Sequence, residues 1–273
     1  LMYGQNALAA TNAFTLNITD EAKVAELPEF VREALAAEAK ARGEQGWTVT
    51  LQAPSYVPFM TYSSQRDLKE QLYKAYNSRA KGGEFDNTPI IHKIVELRMK
   101  IAKLLGFENH ADYVLAERMA ENIPTVNDFL DELRDATIKY AKKDYKMINK
   151  YARSQGFKGD VMPWDWAYYT EKYKAEKYAI SDEDVKPYLK LDNVIEGVFM
   201  AATNLYGLTF TPNKDITVYH PDVTAYEVKD SNGEFLAVLY LDFFPRASKR
   251  SGAWMTEFRG AKIENGVETR PLV

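Results

Sequence analysis

Along most of this chain apolar residues return every three or four positions, the period of a helix that buries one face. Residues 28–43, PEFVREALAAEAKARG, run from Pro28 at a helix start to Gly43 at its end and are rich in helix-forming Ala and Glu. Residues 63–83, SSQRDLKEQLYKAYNSRAKGG, predict a helix closed by paired glycines. In 87–107, Ile90, Ile91, Ile94, Leu97, Ile101, Leu104 and Leu105 keep helical spacing. Thr88 is the expected N-cap there, with Pro89 at the first helical position and Gly106 at the stop. Asn109, with Asp112 three residues on, is expected to cap a short helix through about residue 119. Thr125 is expected to open the longest helix, 125–155, with Val126, Phe129, Leu130, Leu133, Thr137, Tyr140, Ala141 and Tyr145 along one stripe. Ser181 with Asp184 marks a further start, and 192–207 reads as a helix ending at Gly207.

Period two is rarer. WTVTL at 47–51 alternates Thr with apolar residues and predicts a short strand. After Gly207 the texture changes: VTAYEVKD and EFLAVLYLDFF are β-branched and aromatic runs separated by DSNG, a hairpin signal with Asn232-Gly233 at the turn. Leu236, Val238 and Tyr240 share one face of the second run with Asp242, a carboxylate that at a strand end is expected to be structural. AWMTEF at 253–258 alternates again and offers a third strand, led in around a corner by PRASKRSG with its three cations. The expected fold class is mainly α with a small antiparallel β-sheet near the C-terminus. Residues 1–207 form the helical scaffold in this reading, and 208–273 a small sheet segment continuous with it.

Composition narrows the functions. With 273 residues the chain can bury a real core, and a net charge of −4 supplies no basic field for nucleic acid. No apolar run approaches eighteen residues, so no membrane span is expected. The absence of cysteine removes disulfides, thiol nucleophiles and thiolate zinc sites. The N-terminal LMYGQNALAATNAF lacks the basic and long apolar regions of a signal peptide. It also begins with Leu1 rather than Met, so the chain is expected to be a piece of a longer protein. Aromatic residues reach 13%, enough to tie long helices together or to build cleft walls.

The search for chemistry comes up short. His92 and Glu96 sit at i and i+4 on one helix, a spacing that can place two metal ligands on one face, but no third ligand is evident nearby. An exposed polar position explains His92 more simply; His110 fits a first-turn role and His220 a loop hydrogen bond. None belongs to an H-E-x-x-H pair, and there is no G-x-S-x-G, P-loop or G-x-G-x-x-G pattern. SKRSG is too short a basic patch to hold a polyanion. Read from its residues alone, the chain has no complete active site.

Several stretches nevertheless resemble one family in order and spacing. They are NALAATNAFTLNITD, GWTVTLQAPSYVPFMTYSSQRDLKEQLYKAYNSRA, DNTPIIHKIVELRMKIAKLLGFENHADYVLAERMA, WDWAYYTEKYKAEKY, LDNVIEGVFMAATNLYGLTF and VYHPDVTAYEVKDSNGEFLAVLYLDFFPRASKRSGAW. Together they resemble the thimet-oligopeptidase-type zinc metallopeptidases, most closely the bacterial peptidyl-dipeptidase (dipeptidyl carboxypeptidase) branch. VAELP at 24–28 departs from the Gly that relatives usually carry before Leu-Pro.

The resemblance implies a zincin-like, channel-forming helical enzyme whose zinc is held by H-E-x-x-H and a later Glu. The zinc there polarises the scissile carbonyl and activates water, with glutamate as base. Those positions lie beyond the matching segment, so the resemblance gives this chain no catalytic or metal residue. It implies an incomplete catalytic-domain fragment that carries no zinc and hydrolyses no peptide alone. Its partners are then short peptide substrates and the missing catalytic half, and its compartment is the cytoplasm, with the periplasm as the other option. One site is carried over: Ser251, Gly252, Ala253 and Trp254 look like the strand that, in the distantly similar angiotensin-converting enzymes, pairs with a substrate backbone. A plain corner and packed strand is the competing reading of those four residues. For the whole chain the alternative is a helical interaction or peptide-binding module without catalysis.

Overall fold

A computed structural model of the chain describes residues 2–179, 182–250 and 252–273. It forms two compact units, Leu1–Ala179 and Ile180–Val273. The protein is mainly helical with small antiparallel sheets, as the sequence pattern predicts.

The first unit opens with α1 (Met2–Ala13), β1 (Thr15–Ile18), α2 (Glu29–Ala41), β2 (Trp47–Thr50), α3 (Ala53–Tyr62) and α4 (Arg66–Asn77). Val31, Leu35 and Ala39, four residues apart, turn one stripe of α2 inward. Val31 and Leu35 meet Ile18, Val49, Leu51, Phe59, Met60 and Leu72 in the main core. β2 lies within the strand expected at 47–51, and its antiparallel partner is β1, which pairs Leu16 with Val49 and Ile18 with Trp47. Gly46 makes that approach feasible. It adopts φ +80°, and a Cβ there would come within 2.3 Å of the Ile18 carbonyl oxygen.

Next come α5 (Thr88–Leu104), α6 (His110–Leu115), α7 (Ile123–Ser154) and α8 (Pro163–Tyr178). Two helix starts differ from expectation. Asn87, not Thr88, stands at the N-cap position of α5; Asp86 Oδ1 accepts from the Thr88 amide at 2.9 Å, while the Asn87 side chain turns away to the first helix, accepting from Asn6 and donating to the Tyr3 carbonyl. Asn122, not Thr125, caps α7 and accepts from the Thr125 amide at 2.9 Å, so the helix starts at Ile123. Asn109 caps α6 as expected, accepting from the Asp112 amide.

α8 is seated on two neighbours. Trp164 packs against the main core beside Tyr73, and Tyr169 and Tyr173 meet the end of α7 around Ile148, Ala152 and Val161. Between α4 and α8, Arg66 Nε donates to both oxygens of the buried Asp165, at 3.1 and 3.2 Å. Lys69, 1% exposed, lies 4.2 Å from the centre of the Tyr168 ring. The rest of α7 and most of α5 leave their apolar stripes bare, among them Val95 at 60% and Phe129 at 59% exposure.

The second unit contains α9 (Asp182–Val185), α10 (Leu191–Tyr206), β3 (Thr209–Pro212), β4 (Thr224–Lys229), β5 (Phe235–Leu241), β6 (Lys262–Glu264) and β7 (Val267–Thr269). Ser181, the expected helix start, lies outside the described residues. α10 ends at Gly207, whose left-handed φ of +69° closes the helix as its position in the sequence predicts. The hairpin forms as expected: Asp230 Oδ1 accepts from the Asn232 and Glu234 amides, and Gly233 takes φ +83°. Phe199 of α10 stacks on Phe210 with ring centres 4.1 Å apart, which seats the helix on the sheet.

The third strand is not 253–258. β3 pairs with β4, and the free edge of β5 is lined by residues 271–273 instead. Val238 donates to the Pro271 carbonyl, Tyr240 to Val273, and Val273 back to Val238. On its far side Leu272 exchanges hydrogen bonds with Phe258 and Arg259. The alternation in AWMTEF is real, but the pairing slot it would occupy is filled by the chain's last three residues.

Candidate functional site

The stretch from Asp242 to Phe258 is built outward from the end of β5. Asp242 accepts from both terminal guanidinium nitrogens of Arg246, at 2.9 and 2.7 Å, and from the Tyr219 hydroxyl at 3.0 Å. Lys249 Nζ lies 3.0 Å from the same carboxylate and donates to the carbonyls of Asp242 and Phe244, each at 2.9 Å. The two-pronged Arg246 contact, reinforced by Lys249 and Tyr219, holds the Asp242 carboxyl far below the usual range. Burial, followed by the bond to Asp242, pushes the Tyr219 hydroxyl up. Asp242 is therefore the structural carboxylate expected from the sequence: it is saturated, and it ties a corner that carries two of the three cations of PRASKRSG.

Beyond the corner Arg250 lies 5.0 Å from the Trp254 ring centre. Of the four expected docking residues, Ser251 lies outside the described residues. Gly252 sits in a bend at φ +111°, a conformation that favours glycine, and Ala253 and Trp254 follow without regular secondary structure. All three are exposed. Among the described residues, the main chain of 253–257 makes no backbone–backbone hydrogen bond, and pairing resumes at Phe258. The segment thus offers amide and carbonyl groups beside the sheet without belonging to it.

One feature of this region escaped the sequence reading. Tyr219, Tyr240 and Phe258 meet edge to face or tilted, with centres 5.7 to 6.4 Å apart. Only Tyr240 was placed on the Asp242 face by strand alternation. Tyr219 and Phe258 arrive from loops on either side of the hairpin, where no periodicity announces them.

The other candidates lie apart from this stretch. His92 is exposed on α5, and Glu96 is engaged by Lys93 and Lys100, which hold its carboxyl below the ordinary range. His220 Nδ1 accepts from the Asp222 amide at 3.2 Å. His110 begins α6 and packs near Tyr113. A surface concavity of about 360 Å³ beside the end of α7 is lined by Tyr145, Lys146, Asn149, Lys150, Arg153 and Asp160, with Arg153 bound to Asp160 at 2.6 Å. Among the described residues no three His, Asp or Glu side chains are grouped so as to hold a metal ion. No helix among those residues is long and apolar enough to cross a membrane.

Residues 59–271 match the model of peptidase family M3. The chain is 40% identical over 263 residues to oligopeptidase A of Escherichia coli (strain K12), a match that takes in 94% of this chain and 39% of that protein. It is 35% identical over 277 residues to dipeptidyl carboxypeptidase of the same organism, with 99% and 40% covered. A protein of Arabidopsis thaliana named probable cytosolic oligopeptidase A is 36% identical over 266 residues, covering 93% of this chain and 38% of the relative. The chain therefore spans about two fifths of the length of the curated relatives it matches. With the family model covering most of its length and these relatives aligned nearly end to end with it, the chain belongs to peptidase family M3.

Proposed function

We propose that this chain is part of a zinc-dependent oligopeptidase that hydrolyses short peptides and releases dipeptides from their C-terminal ends. The observation that carries the reading is the exposed main chain of 253–257, free of backbone partners among the described residues and lying within the matched peptidase segment. An extended peptide laid beside such a segment gains main-chain hydrogen bonds whatever its sequence. Residues 251–254 are the docking edge in this reading. Gly252 keeps the approach open, since nothing lies within 4 Å of where its Cβ would be. The Asp242–Arg246–Lys249 cluster fixes the corner from which the edge departs.

Zinc and the groups that bind it belong to the rest of the longer protein, and no bond-breaking step is assigned to these residues. This chain binds and aligns. The bare apolar faces of α5 and α7 support the remainder of the polypeptide as its physical partner. The relative named as cytosolic supports a cytoplasmic setting.

The test assays the longer protein and the 273-residue chain side by side on N-acetylated tetra- and octapeptides, with products read by mass spectrometry. The longer protein is expected to release C-terminal dipeptides, to stop with a chelator and to recover with zinc. The 273-residue chain is expected to hold no stoichiometric zinc and to cleave nothing. Chelator-sensitive cleavage by the chain alone overturns its inactivity. Internal cuts that leave longer C-terminal products overturn the dipeptide specificity.

A further inference from the structure

From the aromatic cluster beside the free main chain, we infer that Tyr219, Tyr240 and Phe258 form the seat for one side chain of the bound peptide, and that this seat selects an aromatic or large aliphatic residue. The inference rests on the docking-edge reading of 251–254. Tyr219 is 55% and Phe258 60% exposed, although each ring touches the other and Tyr240. The two outer rings present apolar surface to solvent at the end of the unpaired main chain.

The cluster is held in place from behind. Tyr219 donates to Asp242, Tyr240 donates to the Thr217 carbonyl at 3.4 Å, and the Phe258 amide donates to Leu272 at 2.8 Å. The rings are therefore fixed before any ligand arrives, which limits the ordering cost of binding. Phe258 is the first paired residue after the unpaired run, so backbone donors and an apolar wall adjoin along one stretch of chain. A main chain that pairs and a side chain that packs is the division of labour in strand addition. An extended peptide fits both halves of the surface, and membership of a peptidase family makes a peptide the occupant of choice.

The test uses the whole 273-residue chain and blocked pentapeptides, Ac-Ala-Ala-Xaa-Ala-Ala-NH2, with Xaa as Phe, Leu, Ala or Glu. Affinity is read by competition against a fluorescent Phe peptide. The Phe and Leu peptides are expected to bind about tenfold tighter than Ala or Glu, equivalent to about 1.4 kcal/mol. Phe258→Ala is expected to bring that ratio close to one, Phe258→Leu to restore most of it, and Tyr219→Phe to retain it because the ring remains. An unchanged ratio in Phe258→Ala, or equal affinities in the unaltered chain, overturns the seat. The edge is probed separately with peptides N-methylated at alternate amides: loss of their affinity at constant side-chain ratio supports it. A Phe258-dependent ratio with no effect of N-methylation overturns the edge and leaves the seat standing. Absence of binding by every peptide overturns both.

Discussion

The helices of the first unit carry two sets of apolar stripes with similar helical spacing and opposite fates. In α2 and α4, Val31, Leu35 and Leu72 are no more than 3% exposed, packed with Phe59 against the two-stranded ladder. In α5 and α7, Ile91, Val95, Phe129 and Leu133 range from 46% to 60% exposed. Both sets satisfy the same helical period, so periodicity reports that a face wants covering without saying what covers it. The packed stripes close within some sixty residues, on β1, β2 and α3. The bare ones find no such partner among the described residues, and the relatives in this family are about two and a half times longer than this chain.

That contrast can be broken most directly by truncating one residue from each set. Phe59→Ala is expected to cost about 3–5 kcal/mol, because it empties a fully buried site. Leu133→Ala is expected to change stability by less than about 0.5 kcal/mol. Urea denaturation of both variants measures the difference, and equal losses would show that α7 is packed in solution.

A smaller effect is expected at the α4–α8 seam, which joins the packed core to the end of the long helix. Asp165→Asn keeps a side-chain oxygen for the Met162 amide but removes the charge opposite Arg66. Because Arg66 is 43% exposed, the loss should be about 2 kcal/mol rather than that of a fully buried pair. A lowered denaturant midpoint at unchanged m-value would show that loss of stability; no shift would show that the ion pair is incidental.

The last effect concerns pH. Burial, opposed by Asp165, pushes the Lys69 ammonium down from 10.5 to about 8. Its folded pKa lies below its unfolded one, so between those values the unfolded chain binds the additional proton. Stability should therefore rise with pH from about 8 toward 10.5 and level off below 8. Lys69→Met should flatten that slope in thermal melts recorded from pH 7 to 10. A slope that survives the substitution would assign it to other groups.

Features decided by a few neighbouring residues were legible in the sequence. Asn109 capping α6, Gly207 ending α10 and Asn232-Gly233 turning the hairpin each depend on local backbone demands that particular residues meet. The starts of α5 and α7 differ from expectation by one or two positions: Asn122 takes the cap of α7 from Thr125, and at α5 the Thr88 amide is served by Asp86. Asn87 was claimed by a contact with α1, more than eighty residues away in sequence. Pairings across long separations were not legible: β1 with β2, and residues 271–273 along β5, depend on which edge is vacant rather than on either strand's pattern. The proposed docking edge rests on resemblance, whereas the cluster of Tyr219, Tyr240 and Phe258 becomes visible only once loops flanking the hairpin are brought together.

The length of α7 has a mechanical consequence. At 32 residues it extends about 48 Å. Its buried anchor residues, Ile148, Asn149 and Ala152, all fall within its last seven positions. It is a cantilever: a tilt of about 5° at that anchor displaces the far tip by roughly 4 Å over this length. A force applied near the tip thus acts through a long lever arm, with the buried end of α7 against α8 as its pivot.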